Sequence, residues 1–338
     1  MQGVGRGVAC LLPHLISQEG LEIELLTARE KPAIDIGVPE HNLPTPWPGV
    51  ASAWLQWSAP RWLRDFDGVF HCPWYALPFW QSVPMVVTLH DLTFEHHPQW
   101  FTPSRRISYV AQARWAARSA GAIVTPSEFV AQDIASTYGV TRDRLFVAPN
   151  SADPIFAPDI DGAETLARLG VKPPYLVAVG GAPRRNLPIA IEAWRAVRKS
   201  APLDLVVVGT SDVEPEPGLH VGRLNDTDWA AVLSNATALV YPTEYEGFGM
   251  PALESLACGT PVICCRVGAL PEVLGDCAVW CERLAADAFT TAIGRILREP
   301  SLAADIRTRS LVAAARHPSW RDVAAVYGAA YRQAEALR

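Results

Sequence analysis

Two carboxylates, Glu246 and Glu254, stand with seven residues between them, the string Gly247-Phe-Gly-Met-Pro-Ala-Leu253. Each can accept hydrogen bonds from a vicinal diol, so one sugar ring and one ribose would satisfy the pair, as a nucleotide-sugar does. Gly247 and Gly249 let a backbone come close to a ligand. The N–H groups of Phe248, Gly249 and Met250 would open a helix whose N-terminus suits anionic or hydroxyl-rich groups. An isolated pair at this spacing is more often one loop residue and one solvated helix residue; the full string is more specific. A second cluster is Arg184-Arg185-Asn186, where adjacent guanidiniums present planar paired donors suited to a diphosphate. The bland alternative is a surface pair at a helix start. His90, in Thr88-Leu-His-Asp-Leu-Thr93, is either an imidazole at a reacting centre or a satisfied structural histidine.

The elements that must position these groups alternate. Ala238–Pro242 is a short apolar run, Pro251 suits a first helical position, Gly259 suits a helix end, and Pro261–Cys264 is a second apolar run. Strand, glycine loop, helix, strand is how a parallel sheet builds a ligand site at its carboxyl edge. The arginine pair follows an expected strand Tyr175–Val179, and His90 follows one over Met85–Leu89. Further strands are expected over Leu21–Thr27, Gly68–His71, Ala122–Thr125, Leu145–Ala148, Leu203–Val208, Leu239–Tyr241 and Val262–Cys264. Helical patterns cover Ser104–Ala120, Leu187–Ser200 and Asp287–Arg298, and Asn150–Gly162 reads as a linker rich in Pro and Asp. The expected fold class is α/β, with doubly wound domains over 1–152 and 153–316 and a helical segment over 317–338.

The run Tyr245–Ile263, followed by Gly268-Ala-Leu-Pro-Glu-Val273, resembles the family 4 retaining glycosyltransferases, and the likeness extends over nearly the whole chain. It implies the GT-B architecture: two Rossmann-like domains facing a cleft, with 317–338 crossing back onto the first. By this resemblance Glu246 contacts the donor sugar, Glu254 the ribose, and His90 lies near the transferred sugar. Gly3-Val-Gly-Arg6 resembles the family's N-terminal glycine loop, so Gly3 and Gly5 are donor-site candidates, although a lone G-x-G is weak as a signal. Two departures stand out. The family's Arg-Lys-Asn segment reads Arg184-Arg185-Asn186 in a loop one residue shorter. Only Met1 and Gln2 precede the glycine loop, so the first strand of the N-terminal domain is expected to be missing, through an upstream start or a shortened chain.

Composition narrows the class. The chain has 338 residues, 49% hydrophobic and 19% charged, with a formal net charge of −6, which disfavours nucleic acid as a principal partner. No apolar run reaches the roughly 18 residues of a membrane span, and the N-terminus lacks a secretory pattern, so cytoplasmic residence is expected. Seven cysteines without a C-x2-C pair read as small buried hydrophobes. None of the triplets Asp65-Phe-Asp67, Asp159-Ile-Asp161 and Asp226-Thr-Asp228 follows a strand, and His96-His97 spacing suits a metal poorly, so no metal and no cofactor are expected. Arg105, Arg106, Arg114 and Arg118 share a helical pattern with Tyr109 and Trp115 and no acidic residue, which makes either a face for anionic lipid or a solvated basic face.

These observations converge on a metal-independent hexosyltransferase, for which the resemblance implies retention. The resemblance favours mannose from GDP-mannose as donor, and a glycan or lipid-linked acceptor. His90, Arg184, Arg185 and Glu246 would act at the reaction centre. Gly3, Gly5, Asn186, Gly247, Phe248, Gly249, Met250 and Glu254 would hold the donor. The enzyme would be cytoplasmic or peripheral at the inner face of the membrane. Two rivals are a non-catalytic sugar-nucleotide-binding subunit and a same-fold sugar-nucleotide epimerase.

Overall fold

The computed structural model describes residues 4–28, 37–45, 53–210, 212–214 and 216–337. The chain divides into two compact units: one runs to Asn150 and resumes from Pro318 onward, the other is Ser151–His317.

In the first unit, β1 (Leu25–Thr27) and β2 (Glu40–Asn42) pair in parallel. A separate parallel sheet has the order β3 (Phe70–Cys72), β4 (Met85–Thr88), β5 (Ala122–Thr125), β6 (Leu145–Val147). Among the described residues β3 is paired on one side only, by β4. Val87, with Met85 and Ile123, packs under the helices Pro103–Ser119 and Glu128–Tyr138 through Ala113, Ala117, Val130 and Ile134. Val86 and Val124 pack against the helices Val4–Ile16 and Trp320–Ala336 through Leu11, Leu15, Val323 and Tyr327. Cover on both faces explains why β4 and β5 read as continuous apolar runs instead of alternating ones. Helix Trp320–Ala336 starts on a reciprocal cap, in which Ser319 Oγ accepts the Asp322 N–H at 3.3 Å and the Asp322 carboxylate accepts the Ser319 N–H at 2.9 Å.

The second unit holds one six-stranded parallel sheet in the order β12-β11-β10-β7-β8-β9. The strands are β7 (Tyr175–Val179), β8 (Asp204–Val208), β9 (Leu219–Gly222), β10 (Ala238–Tyr241), β11 (Val262–Cys265) and β12 (Ala278–Cys281). From β7 the chain winds outward through β8 and β9, then returns to place β10 on the other side of β7. The carboxyl ends of β7 and β10 therefore flank a topological switch point, where the following loops diverge and leave room for a ligand.

Two expectations need correction. The stretch around Gly5 is not a loop, because the helix begins at Val4 and Gly5 lies in its first turn; Gly3 lies outside the described residues. A glycine costs a helix only about 1 kcal/mol, which the packing of Leu11 and Leu15 in the core outweighs. Strands β2, β9 and β12 were not anticipated. All three lie at sheet edges, where a strand need not be apolar on both faces, and β2 consists of Glu40-His41-Asn42.

A polar chain crosses the first unit. His71 Nε2 lies 2.8 Å from Thr88 Oγ1, His71 Nδ1 lies 3.0 Å from Tyr331 Oη, and Tyr327 Oη stands 3.3 Å from the same threonine hydroxyl. Burial, reinforced by neighbouring His90, drops the His71 imidazole from 6.5 to about 3. The unfolded chain therefore binds a proton at this residue between those limits while the folded chain does not. Stability from neutral His71 is complete above about pH 6.5 and is lost as pH falls toward 3, with a slope of about 1.4 kcal/mol per pH unit. His71→Gln should lower stability at pH 8 yet flatten the decline between pH 7 and pH 4 in urea unfolding followed across pH. An unaltered slope would remove His71 as its source.

Candidate active site

The site residues of the second unit lie on two loops at the switch point. After β7 the chain makes a tight 3-10 turn over Pro183–Arg185, places Asn186 in the left-handed region at φ 44°, and enters helix Leu187–Arg198. After β10 it runs through Thr243 to Gly249 and enters helix Met250–Cys258 with Pro251 in the first turn. The Arg184 carbonyl accepts the Glu244 N–H at 2.8 Å, joining the two loops through their backbones. Gly249 turns the chain into the helix at φ +95°, with the Leu270 side chain 2.6 Å from where a Cβ would lie. Gly268 closes the site from below: a Cβ there would fall 2.2 Å from the Glu246 carbonyl oxygen. The Ala269 N–H donates to that oxygen at 3.0 Å.

Glu246 is 6% exposed. Its Oε1 accepts from Tyr241 Oη at 2.5 Å and has Arg184 Nε at 3.4 Å and Thr243 Oγ1 at 3.3 Å. An inward carboxylate is stable only with such partners, because desolvation of a lone ion outweighs what packing returns. Tyr241 is held well above its ordinary value, first by burial and then by the Glu246 charge, so it stays a neutral donor. Arg185 sends Nη1 to the Gly180 carbonyl at 2.6 Å, and its buried Nε has no hydrogen-bond partner among the described residues. Asn186 donates its side-chain amide to the Arg184 carbonyl at 3.2 Å.

Glu254 sits one turn into helix Met250–Cys258, 1% exposed, and its Oε2 accepts the Trp229 indole N–H at 2.6 Å. Phe248 is buried, with its ring 6.2 Å from that of His317. Arg184, Arg185, Asn186, Glu246 and the Gly247–Met250 turn are thus brought together around the ends of β7 and β10, with Glu254 in the helix that follows.

His90 and Gly5 belong to the first unit. His90 follows β4, half-buried, with Nε2 3.1 Å from the Pro73 carbonyl. Burial lowers its basicity, outweighing the opposite effects of that hydrogen bond and of the Asp91 charge. The neutral ring donates from Nε2, which leaves Nδ1 as the acceptor. Asp91 caps its own turn, accepting the Thr93 N–H at 2.9 Å. His96 is committed to Asp133 at 2.7 Å, and His97 stacks on Trp100 with centroids 4.0 Å apart. Of the acidic triplets, Asp226-Thr-Asp228 opens a helix capped by Asn225, and Asp228 bonds Arg168 and Thr165.

Tyr241, Thr243 and Trp229 are the functional contacts that sequence reasoning missed. Tyr241 did leave a signal: a tyrosine closing an otherwise apolar strand must find a partner for its hydroxyl when buried. Trp229 left none, since its link to Glu254 spans 25 positions and two helices.

Known proteins resemble this chain across both units. Residues 1–156 match the family model described as Glycosyltransferase Family 4, and residues 173–299 match Glycosyl transferases group 1. The chain is 28% identical over 285 residues to O-antigen chain mannosyltransferase B of Escherichia coli, covering 77% of this chain and 73% of that protein. It is 29% identical over 287 residues to the MMP alpha-(1->4)-mannosyltransferase of Mycolicibacterium hassiacum, covering 74% and 66%. Among solved structures, WaaG, a glycosyltransferase involved in lipopolysaccharide biosynthesis, matches with a TM-score of 0.76 at 16% identity over 98% of this chain and 95% of its own. Anabaena HepE in complex with UDP-glucose matches with a TM-score of 0.67 at 16% identity, over 89% and 86%. These likenesses carry the fold, which is GT-B with two Rossmann-like α/β domains. With one family model on the sequence of each unit, the chain belongs to the family 4 glycosyltransferases.

Proposed function

We propose that this glycosyltransferase moves a hexose, mannose by preference, from a nucleotide-diphospho-sugar to a glycan or lipid-linked acceptor, with retention and without a metal. The observation that carries the reading is the buried Glu246 carboxylate set against Arg184 at the switch point, with Arg185 on the same loop. A carboxylate there suits sugar hydroxyls, and guanidiniums beside it suit the charge that grows on a departing diphosphate. The N–H groups of Phe248 to Met250, at the mouth of helix Met250–Cys258, would add to that stabilisation. Asn186 and Gly247 would line the donor, and Glu254 would take the ribose. For His90 the proposed role is a neutral imidazole near the transferred sugar. Departure and attack on one face, through an oxocarbenium-like state, are favoured because no carboxylate is assigned as a nucleophile. The two relatives named as mannosyltransferases support mannose, and GDP-mannose is the first donor to try.

We also assign a membrane contact to the first unit. Helix Pro103–Ser119 carries Arg105, Arg106, Arg114 and Arg118 and no acidic residue, in a chain of net charge −6. Ile107 on it is 68% exposed, and the stretch packed along it leaves Trp74, Phe79 and Trp80 outward, Trp80 at 84%. Phe79 packs edge-on to Trp115 and the Trp115 indole donates to the Pro78 carbonyl, so these aromatics form one surface with the helix. Arg114 is tied to Glu95 and Arg106 to the Phe94 carbonyl, which makes Arg105 and Arg118 the charges offered to anionic headgroups. No helix among the described residues is long and apolar enough to span a bilayer.

Three outcomes are expected. Thermal shift against GDP, UDP, dTDP and ADP should single out one nucleotide, and Arg185→Ala should then slow turnover at least tenfold. A near-wild-type rate would remove Arg185 from the phosphate site, and donor binding without turnover across an acceptor panel would favour a non-catalytic subunit. Transfer should persist in chelator; loss rescued by Mg²⁺ would overturn the metal-free reading. The protein should co-sediment with phosphatidylglycerol vesicles, and Phe79→Ser with Trp80→Ser should release it. Retention equal to wild type, or equal binding to phosphatidylcholine, would refute that surface.

A further inference from the structure

Every hydrogen bond described for the Glu246 side chain falls on one of its two oxygens. Oε1 takes Tyr241 Oη at 2.5 Å, with Thr243 Oγ1 at 3.3 Å and Arg184 Nε at 3.4 Å. Among the described residues no donor reaches Oε2. The Tyr241 bond is the shortest of the three and comes from the most rigid support. Tyr241 closes β10, paired by β7 and β11, and is 1% exposed. A buried ring on a central strand has no freedom to follow a moving carboxylate, so the carboxylate must follow the ring.

We propose that Tyr241 is a positioning and specificity-determining residue, which saturates Oε1 of Glu246 and leaves Oε2 as the single acceptor presented to the donor sugar. The inference rests on the sugar-binding reading of Glu246 and sharpens it. An unrestrained carboxylate can take two neighbouring hydroxyls, one on each oxygen. With Oε1 filled, Glu246 recognises hydroxyls through one atom of fixed direction, and a sugar whose hydroxyl is misdirected covers that acceptor without satisfying it. Arg184 and Thr243 contribute to the same atom from the two loops, but their longer bonds cannot fix the carboxylate plane when the tyrosine hydroxyl is gone.

Tyr241→Phe removes one oxygen and keeps the ring, so the strand and its core are retained. Calorimetry with GDP-mannose and with GDP separates sugar recognition from nucleotide recognition. The variant should bind GDP-mannose about tenfold more weakly and GDP within twofold of wild type, while still melting in a cooperative transition. Equal loss for both ligands would mark Tyr241 as merely structural, and undiminished affinity for GDP-mannose would overturn the proposal. Another nucleotide-sugar replaces this pair if thermal shift selects another base. If wild type binds no nucleotide-sugar, the reading of Glu246 itself fails. A crystal structure of ligand-free Tyr241→Phe keeps the two failures apart, because a carboxylate still in its wild-type place refutes positioning by Tyr241 whatever the donor is.

Discussion

A carboxylate held inside the protein is the constraint around which the second unit is arranged. Withdrawing an ion from water costs several kcal/mol, and deleting one partner of a buried pair typically costs about 3–5 kcal/mol, because the other charge is left stranded. The Glu246 carboxylate is compensated from three directions, by Tyr241 on β10, Thr243 on the loop after it and Arg184 on the loop after β7, while the Ala269 N–H holds the residue's backbone carbonyl. Gly268 is part of the same arrangement, since any side chain there would strike the Glu246 backbone. Three separate chain segments are thereby fixed relative to one residue. Arg184 is 29% exposed at its side chain, so its share is screened, and the fully buried tyrosine hydroxyl is the firmer support.

The sheet order explains why these segments meet. With β7 next to β10, the loops that leave their carboxyl ends diverge, one toward β8 and the other toward β11. Charged groups can stand there because the surrounding strands are saturated with backbone hydrogen bonds and apolar side chains. Tyr175, Leu176, Val177, Leu239 and Val240 are fully buried behind the loops. The rigid part is therefore continuous with the loops that carry the candidate site, as a preorganised electrostatic site requires.

Much of this was legible in the residues. Strands buried on both faces announce themselves as apolar runs, and β4, β5, β7, β8, β10 and β11 all do so. The glycine turn of Gly247 and Gly249 followed by Pro251 marks a strand-to-helix corner, and the arginine pair marks the neighbouring one. What escaped notice depends on tertiary placement. The edge strands β2 and β9 lack a two-faced apolar pattern, β12 is an apolar run of only four residues, and the helical start at Val4 is decided by packing of Leu11 and Leu15 against the sheet. The pairing of Tyr241 with Glu246 across five positions, and of Trp229 with Glu254, follows from where strand and helix ends meet, which no local pattern encodes.

The first unit poses a different physical problem, because its core is assembled from segments far apart in sequence. Thr88 meets Tyr327 across 239 positions and His71 meets Tyr331 across 260. Closing so long a loop costs little more than closing one of half the length, about 0.6 kcal/mol per doubling. The helix Trp320–Ala336 can therefore be supplied from beyond a complete second unit without great penalty. In return it buries Trp320, Val323, Tyr327, Ala330 and Ala334 against the face of the sheet that it shares with helix Val4–Ile16, an apolar gain several times that entropic cost. The polar chain through His71 adds direction to an otherwise greasy contact. A helix of alanines and aromatics could slide by one turn on an apolar sheet, but only one register brings Tyr327 to Thr88 and Tyr331 to His71 together. The first unit thus acquires its final register only when helix Trp320–Ala336, supplied from beyond the second unit in sequence, has docked.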